Sequence, residues 1–303
     1  MYNKQESGVL LIAHGRPAYL KEAAALAISI KMFSPHTPVA LASGFDSLSP
    51  FEGVFDHVIP VEKELRKGVT TKLWLDKLTP YRGTTLFLDT DTIVFGELDS
   101  YVSRDDWGFT AFGRMYPTVH HWFSSPEVHA RKFGDQLVPC FVGGCYLFTS
   151  GTESARVFST ARSLLPKYRE LGIEPLDNRT GSCNEEPLLA LSMMEHGIVC
   201  RDEVDGPTFN MTRAVYRDLS SHALVNSQRY TIGDIPRPAL HFQAYRRQWR
   251  YRCLQFQLLN WFTSGNKEVY PMNLKATDIF SLGVQMYVEK MSRFFVNLTG
   301  LNR

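Results

Sequence analysis

The chain has 303 residues, of which 44% are hydrophobic and 21% charged, and its formal net charge is +2 at pH 7. This composition is ordinary for a globular protein and provides enough length to bury a large core. The near-neutral charge and the lack of a long basic run argue against nucleic acid as a partner. No segment is apolar for long enough to predict a transmembrane helix or a secretion signal.

The cysteines do not predict a disulfide framework. They are odd in number and contain no C-x-x-C pair, namely Cys140, Cys145, Cys183, Cys200 and Cys253. Reduced thiols of this kind are typical of a reducing compartment. We therefore predict a cytoplasmic protein, and the sequence leaves open whether identical copies form a homo-oligomer.

The first elements of the chain predict a β-α-β unit. Gly8–Ala13 is an apolar run typical of a buried strand, Pro17–Phe33 a helix, and Val39–Ala42 a second strand. Such a unit predicts a parallel sheet with a ligand site at the ends of its strands. Ala13 and His14, at the first strand-to-helix turn, are therefore candidates for binding a nucleotide, although a turn histidine without a role is an equal alternative.

The segment from Thr84 to Val94 is an apolar β-type run with two aspartates one residue apart, Asp89 and Asp91. Because side chains alternate along an extended strand, both carboxylates can project to one side while Thr90 points elsewhere. Two carboxylates on one side predict a site for magnesium or manganese, which proteins typically share with substrate phosphates. The alternative is that these acids cap the next turn or lie in a solvated loop.

The rest of the chain continues the alternation of strands and helices. Strands are predicted at 55–60, 107–112 and 140–148, and helices at 70–78 and 184–196, the last with Glu185 and Glu186 in its first turn. The four residues from Ser150 to Glu153 fit a capping box at the start of another helix. Apolar segments at 254–262 and 279–296 predict further helices. We expect an α/β protein with one domain over residues 1–250 and a helical C-terminal extension over residues 251–303.

Several short motifs follow one another in a fixed order. They are Thr71-Lys72-Leu73, the strand Leu86 to Thr92 with its D-x-D, Phe141-Val142-Gly143-Gly144, Glu185-Glu186-Pro187-Leu188-Leu189, Phe209-Asn210 and His241-Phe242-Gln243-Ala244-Tyr245-Arg246-Arg247-Gln248-Trp249. Together they resemble the motifs T-K-L, D-x-D-T, F-N-S-G, D-Q-x-L-L, Y-N and H-F-x-G-x-x-K-P-W of the retaining glycosyltransferases of the glycogenin and galactosyltransferase type, glycosyltransferase family 8. The resemblance implies the GT-A fold, a Rossmann-like mixed and mostly parallel sheet flanked by helices.

The resemblance also implies an activity. Such enzymes pass a sugar from a nucleotide diphosphate, usually UDP, to an acceptor hydroxyl on a glycan or other molecule, with retention of configuration. Asp89, Asp91 and His241 are the implied metal ligands. Manganese (Mn²⁺) is the expected ion because imidazole suits it better than magnesium (Mg²⁺), which is the alternative.

Other matched positions receive roles from the same resemblance. Lys72 and Arg247 are assigned to the diphosphate, where the arginine fork grips two oxygens and lysine acts as a point charge. Glu185, Glu186 and Arg247 are the candidate catalytic residues, with one glutamate at the sugar face opposite the leaving group; simple helix-start acids are the alternative. The expected donor-binding residues are Ala13, His14, Lys72, Asp89, Thr90, Asp91, Gly144, His241 and Arg247.

Aromatic residues accompany two of these segments. Tyr245, Trp249 and Tyr251 are candidates for a platform on which sugar or uracil stacks, with a place in the core as the alternative. His120 and His121 are adjacent in a segment after the D-x-D. Because neighbouring side chains diverge on an extended chain, they do not predict a second metal site.

The sequence departs from the family pattern next to the reacting sugar. Val142 stands where the family has asparagine, Glu185-Glu186 where it has Asp-Gln, and Arg247 where it has lysine. A protein of this fold that only binds a sugar nucleotide or glycan is therefore an alternative. More remote alternatives are an aspartyl-phosphate phosphatase, disfavoured because Ile93 stands where its pattern has threonine, and a sugar-nucleotide pyrophosphorylase, which would show a glycine-rich phosphate loop.

Overall fold

The structure, a computed structural model, describes residues 7–104, 107–117, 122–123, 134, 136–177, 182–210, 231–232, 235–236, 238–242 and 249–264. The strands are β1 Gly8–Ala13, β2 Val39–Ser43, β3 His57–Pro60, β4 Thr84–Leu88, β5 Thr92–Val94, β6 Phe109–Tyr116, β7 Val138–Thr149, β8 Pro175–Asp177, β9 Ser182–Cys183, β10 Arg201–Asp202, β11 Thr208–Asn210, β12 Thr231–Ile232, β13 Ile235–Pro236 and β14 Ala239–His241. The α-helices are α1 Pro17–Phe33, α2 Leu75–Leu78, α3 Asp99–Val102, α4 Thr152–Leu164, α5 Glu185–Glu195 and α6 Trp249–Thr263. Short 3-10 helices lie at Glu52–Val54, Lys63–Leu65, Gly68–Trp74, Leu165–Lys167 and Glu203–Asp205.

Seven strands form the main sheet, in the order β10-β6-β7-β4-β1-β2-β3. The pairs β1–β2, β1–β4, β2–β3 and β6–β10 are parallel, whereas β7 runs antiparallel to both β4 and β6. Since β1 leads into β2 through α1, the N-terminal segment is the predicted β-α-β unit. The mixed, mostly parallel sheet confirms the predicted fold class.

Helices cover both faces of this sheet. Side chains alternate along β1, so that Val9 and Leu11 belong to one apolar cluster and Leu10 to the other. The first cluster includes residues of α1 and α6, and the second includes residues of α4 and α5. None of the helices in the described part of the chain has the length and hydrophobicity needed to cross a bilayer.

The helix predicted at 254–262 is confirmed as part of α6. Tyr251, Leu254 and Leu258 are buried in the same cluster as the alanine-rich helix α1. The predicted helix at 279–296 lies outside the described residues. The division of the chain at residue 250 therefore stays a prediction.

A small second sheet joins the C-terminal part of the chain to the D-x-D segment. β14 pairs antiparallel with β5, which places His241 opposite Thr92, and it pairs parallel with β11. Because β5 begins directly after Asp91, this pairing brings a histidine from far along the chain to the two aspartates.

Two local predictions need correction. The helix predicted at 70–78 is mostly a 3-10 helix, followed by the single turn of α2, because Thr70 and Thr71 donate side-chain hydrogen bonds to backbone carbonyls of the preceding loop. The predicted capping box is wrong, since α4 begins after Gly151 without a capping side chain. Glu153 instead accepts a hydrogen bond from the backbone N–H of Phe109 at 2.8 Å. Glu153 thus binds the backbone of β6 and does not cap its own helix.

Candidate functional site

Backbone hydrogen bonds fix the turn that carries the two aspartates. The N–H of Asp89 donates to the carbonyl of Gly144 on β7 at 2.9 Å, and the N–H of Thr92 closes the turn onto the carbonyl of Asp89 at 3.1 Å. The N–H of Phe242, just after β14, donates to the carbonyl of Asp91 at 2.9 Å. The turn is therefore held from both sides, by the main sheet and by the second sheet.

Asp89, Asp91 and His241 form a group that could hold a metal ion. Nε2 of His241 lies 3.1 Å from Oδ1 of Asp91 and 3.8 Å from Oδ2 of Asp89, and one ligand atom from each residue lies within 4.8 Å of the others. His241 and Asp91 are buried, while Asp89 is 26% exposed at its side chain and open to a cleft. Two hard carboxylates and one imidazole suit a divalent ion such as manganese or magnesium. The donor set thus fits the predicted ion.

Gly144 allows His241 to approach β7. A Cβ atom at position 144 would lie 2.1 to 2.8 Å from three atoms of the His241 ring, which is closer than real Cβ contacts allow. Glycine at position 144 is therefore needed for the approach of a side chain from the second sheet.

We expect Gly144→Ala to weaken Mn²⁺ binding by about 10- to 100-fold, because the added methyl group displaces the imidazole from the two aspartates. Calorimetric titration of the purified protein with Mn²⁺ measures this effect. Gly53→Ala is the matched control, since no atom lies within 4 Å of a Cβ at that position. Equal Mn²⁺ affinities in the two variants would contradict the assignment of His241 as a ligand.

Lys72 is buried beside this group and is satisfied by three acceptors. Its Nζ lies 2.8 Å from Oδ2 of Asp89, 2.8 Å from the carbonyl of Gly143 and 3.0 Å from Oε1 of Glu185. Burial disfavours the charged ammonium, but the two carboxylates outweigh burial and raise the pKa of Lys72 above its ordinary value. These contacts hold Lys72 between Asp89 and Glu185, and its predicted contact with the diphosphate stays a prediction.

The two glutamates at the start of α5 have different surroundings. Glu186 binds structural groups, since its Oε1 accepts from the N–H of Gly143 at 2.6 Å and its Oε2 accepts from Trp122 at 3.2 Å and Asn184 at 3.0 Å. Glu185 is buried against Lys72, and burial raises its pKa to about 7, with Lys72 acting in the opposite direction. Glu185 thus belongs to the ion-pair group of Lys72 and Asp89, whereas both oxygens of Glu186 are occupied by neighbouring N–H groups.

The pKa of Glu185 predicts a pH dependence of stability. The pKa of Glu185 rises from an ordinary value of 4.5 to about 7 in the folded protein. The native state therefore keeps this proton up to a higher pH than the unfolded chain does. The stabilising effect is complete below about pH 4.5 and is lost as the pH rises through about 7. We expect the free energy of unfolding of the wild type to fall over this range relative to that of Glu185→Gln. Urea unfolding at a series of pH values tests this, and parallel curves would contradict it.

A cleft of about 190 Å³ lies beside the aspartates. It is lined by Ile12, His14, Tyr19, Gly68, Val69, Thr71, Lys72, Asp89, Thr90 and Asp91. Nε2 of His14 lies 3.0 Å from the hydroxyl of Thr71, and burial lowers the pKa of His14 below its ordinary value. Ala13 is buried at the end of β1, where its carbonyl accepts from Gly44, so its donor contact stays a prediction.

Some residues of the cleft were not predicted from the sequence. Tyr19, Gly68, Val69 and Thr71 line it, and the place of Thr71 directly before Lys72 was the one available signal. Tyr19 lies at the start of a helix whose pattern indicates only packing. Arg247 and the pair His120 and His121 lie outside the described residues.

Tyr251 lies in the core, which was the alternative to a stacking platform. It is fully buried, its ring packs on Phe242 with centroids 4.8 Å apart, and its hydroxyl donates to the carbonyl of Thr90 at 3.4 Å. It therefore supports the D-x-D turn from within the core and offers no stacking surface. Tyr245 lies outside the described residues.

The comparisons with known proteins bear on the fold. No protein-family model matches the sequence, and no curated protein matches it. Among solved structures, the galactosyltransferase LgtC in complex with donor and acceptor sugar analogs matches with a TM-score of 0.50 and 13% identity, over 86% of this chain and 97% of that chain. An active-site mutant of LgtC matches with a TM-score of 0.50 and 14% identity, over 78% of this chain and 86% of that chain. The chain thus has the GT-A fold, as its motifs predict.

Proposed function

We propose that the protein is a metal-dependent glycosyltransferase that moves a sugar from a nucleotide diphosphate, a UDP-sugar, to an acceptor hydroxyl with retention of configuration. The observation that carries this proposal is the group of Asp89, Asp91 and His241, which lies at a cleft of about 190 Å³. The fold shared with LgtC, a galactosyltransferase, supports the same class of reaction. Manganese is the proposed ion because the set includes an imidazole.

The residues of the metal group would act on the leaving diphosphate. Asp89, Asp91 and His241 would hold the ion, which when bound neutralises the negative charge that develops on the diphosphate oxygens. The chain itself supplies a rigid frame, since hydrogen bonds from Asp89 to Gly144 and from Phe242 to Asp91 fix the turn before any donor binds. Such preorganisation lowers the cost of reaching the transition state.

The part of the cleft lined by His14 and Tyr19 would receive the nucleoside. Because burial lowers the pKa of His14, its ring is neutral near pH 7 and carries one donor and one acceptor nitrogen. Tyr19 adds an aromatic side chain and Gly68 an open backbone position in the same wall. The neutral rings of His14 and Tyr19 suit an uncharged base, and uracil is the base we propose.

Glu185 is the proposed catalytic carboxylate, with Glu186 as a residue that holds its surroundings in place. Arg247 is proposed for the diphosphate on the basis of its motif alone. A glycan or another hydroxyl compound is the proposed acceptor. Action in the cytoplasm stays a prediction, and the sequence leaves open whether identical copies form a homo-oligomer.

Release of nucleotide diphosphate tests the proposal. The purified protein is incubated with Mn²⁺ and a panel of uridine- and guanosine-linked sugars, with and without simple sugar acceptors. We expect UDP release from a uridine-linked donor, its loss on adding EDTA, and its recovery with excess Mn²⁺. NMR of the product's anomeric proton decides between retention and inversion.

Two other outcomes have defined meanings. Mn²⁺-dependent binding of UDP without release from any donor would support the alternative of a sugar-nucleotide-binding protein. Neither binding nor release would contradict the proposal as a whole. Within the described residues, no contact favours the phosphatase alternative.

A further inference from the structure

Two buried polar atoms, each on a side chain that adjoins Gly143, have no hydrogen-bond partner in the described part of the chain. They are Oε2 of Glu185 and the hydroxyl of Tyr146. Both side chains adjoin the same point, because a Cβ placed on Gly143 would lie 2.5 Å from Oε1 of Glu185 and 2.8 Å from the hydroxyl of Tyr146. Since buried polar groups in native proteins are nearly always paired, two neighbouring unpaired groups call for an explanation.

The ring of Tyr146 is held firmly in the core. It is fully buried, stacks with Phe87 at 5.9 Å and Phe109 at 6.0 Å between centroids, and meets Phe141 edge-on at 5.8 Å. A phenylalanine would fill this space equally well, so packing does not explain the hydroxyl. The ring contacts instead fix where the hydroxyl points, which is toward Gly143 and Glu185.

The two unpaired groups are chemically complementary. The hydroxyl of Tyr146 is a donor, and burial, followed by the negative charge of Glu185, raises its pKa and keeps it protonated. In the carboxylate of Glu185, Oε1 pairs with Lys72 and Oε2 has no hydrogen-bond partner among the described residues. The last torsion of a glutamate is broad, so the carboxyl group of Glu185 can rotate about it to present its free oxygen to the hydroxyl on the same side of Gly143.

We propose that Tyr146 is a positioning residue, whose hydroxyl donates to the Glu185 carboxylate and locks it in orientation between Lys72 and Gly143. The inference rests on the proposed function, because it assigns Tyr146 to the orientation of the proposed catalytic carboxylate. The aromatic core thereby determines the angle of a carboxylate at the edge of the metal site. A leucine or phenylalanine at position 146 would leave that angle free.

Turnover of Tyr146→Phe tests the role. We expect kcat to fall about tenfold, the factor associated with one hydrogen bond, while the KM for the donor changes by less than about twofold. Tyr81→Phe is the matched control, since it removes a buried hydroxyl that binds the carbonyl of Pro38 away from the site. The control should keep the wild-type kcat. An unchanged kcat in Tyr146→Phe would overturn the proposal.

A second measurement does not depend on turnover. Urea unfolding of the metal-free protein is followed for Tyr146→Phe, for Glu185→Met, which removes the acceptor, and for the double variant. We expect Tyr146→Phe to shift the unfolding midpoint in the wild-type background and to have no further effect in the Glu185→Met background. Equal shifts in both backgrounds would show that the two side chains do not interact, and would overturn the proposal.

The two measurements separate the inference from the function on which it rests. If no donor is turned over by the wild type, the proposed function fails and the positioning role fails with it, while the unfolding cycle still decides whether the contact exists. If turnover is found and the shifts are equal, only the inference about Tyr146 fails.

Discussion

Asp91→Asn should lower Mn²⁺-dependent UDP release by about a thousandfold, because a bound metal ion supplies several kcal/mol of charge stabilisation in the transition state and each 1.4 kcal/mol is about tenfold in rate. The substitution removes a buried negative charge that faces His241 at 3.1 Å while it keeps the side chain's size. Steady-state release of UDP at saturating Mn²⁺, with calorimetric titration of the metal, measures both effects.

Asp56→Asn is the control for this prediction. Asp56 pairs with Lys31 at the surface, where both side chains are 34% exposed, and it lies outside the cleft lining. Its variant should keep wild-type release and Mn²⁺ affinity. Release by Asp91→Asn at a wild-type rate would show that the aspartate pair holds no catalytic ion.

Lys72→Met should lower the free energy of unfolding by about 3–5 kcal/mol, the usual cost of removing one member of a buried ion pair. The loss leaves Glu185 buried without its cation and leaves Asp89 without its 2.8 Å partner. Urea unfolding at neutral pH measures the change. Lys31→Met is the matched control, since the exposed pair with Asp56 should contribute less than about 1 kcal/mol.

The same variant has two further signatures. Its loss of stability should be larger above about pH 7 than below it, because Glu185 is ionised in the wild type only above its pKa of about 7, and its charge pairing with Lys72 is absent once it is neutral. Mn²⁺ should raise its unfolding temperature more than that of the wild type, since the ion replaces the positive charge lost beside Asp89. A variant as stable as the wild type at all pH values would refute the role of Lys72.

The elements of the N-terminal half could be predicted because their signals are local. The apolar run of Gly8–Ala13, the Pro17 helix start and the second strand agree with the structure within one residue. The pair Asp89 and Asp91 was equally visible, since two acids after a buried strand form a pattern within three positions. Periodicity and residue type decide these features with little help from distant contacts.

The contacts that distinguish one site residue from another could not be predicted in this way. Lys72 binds Gly143 across 71 positions of sequence, and Trp122 binds Glu186 across 64. Before the structure, Glu185 and Glu186 were equivalent acids at a helix start. Their difference comes from which of them faces Lys72 and which faces the backbone of β7, and no local pattern carries that information.

The pairing of β5 with β14 also determines when the three candidate metal ligands come together. During synthesis the turn with Asp89 and Asp91 leaves the ribosome well before His241, so the growing polypeptide carries an incomplete set of ligands until its later strand docks. An ion that prefers the completed set must, by mass action, stabilise the docked arrangement. The metal would then link the D-x-D turn, which is synthesised early, to β14, which is synthesised late. Its removal by a chelator would first weaken the pairing of β5 with β14.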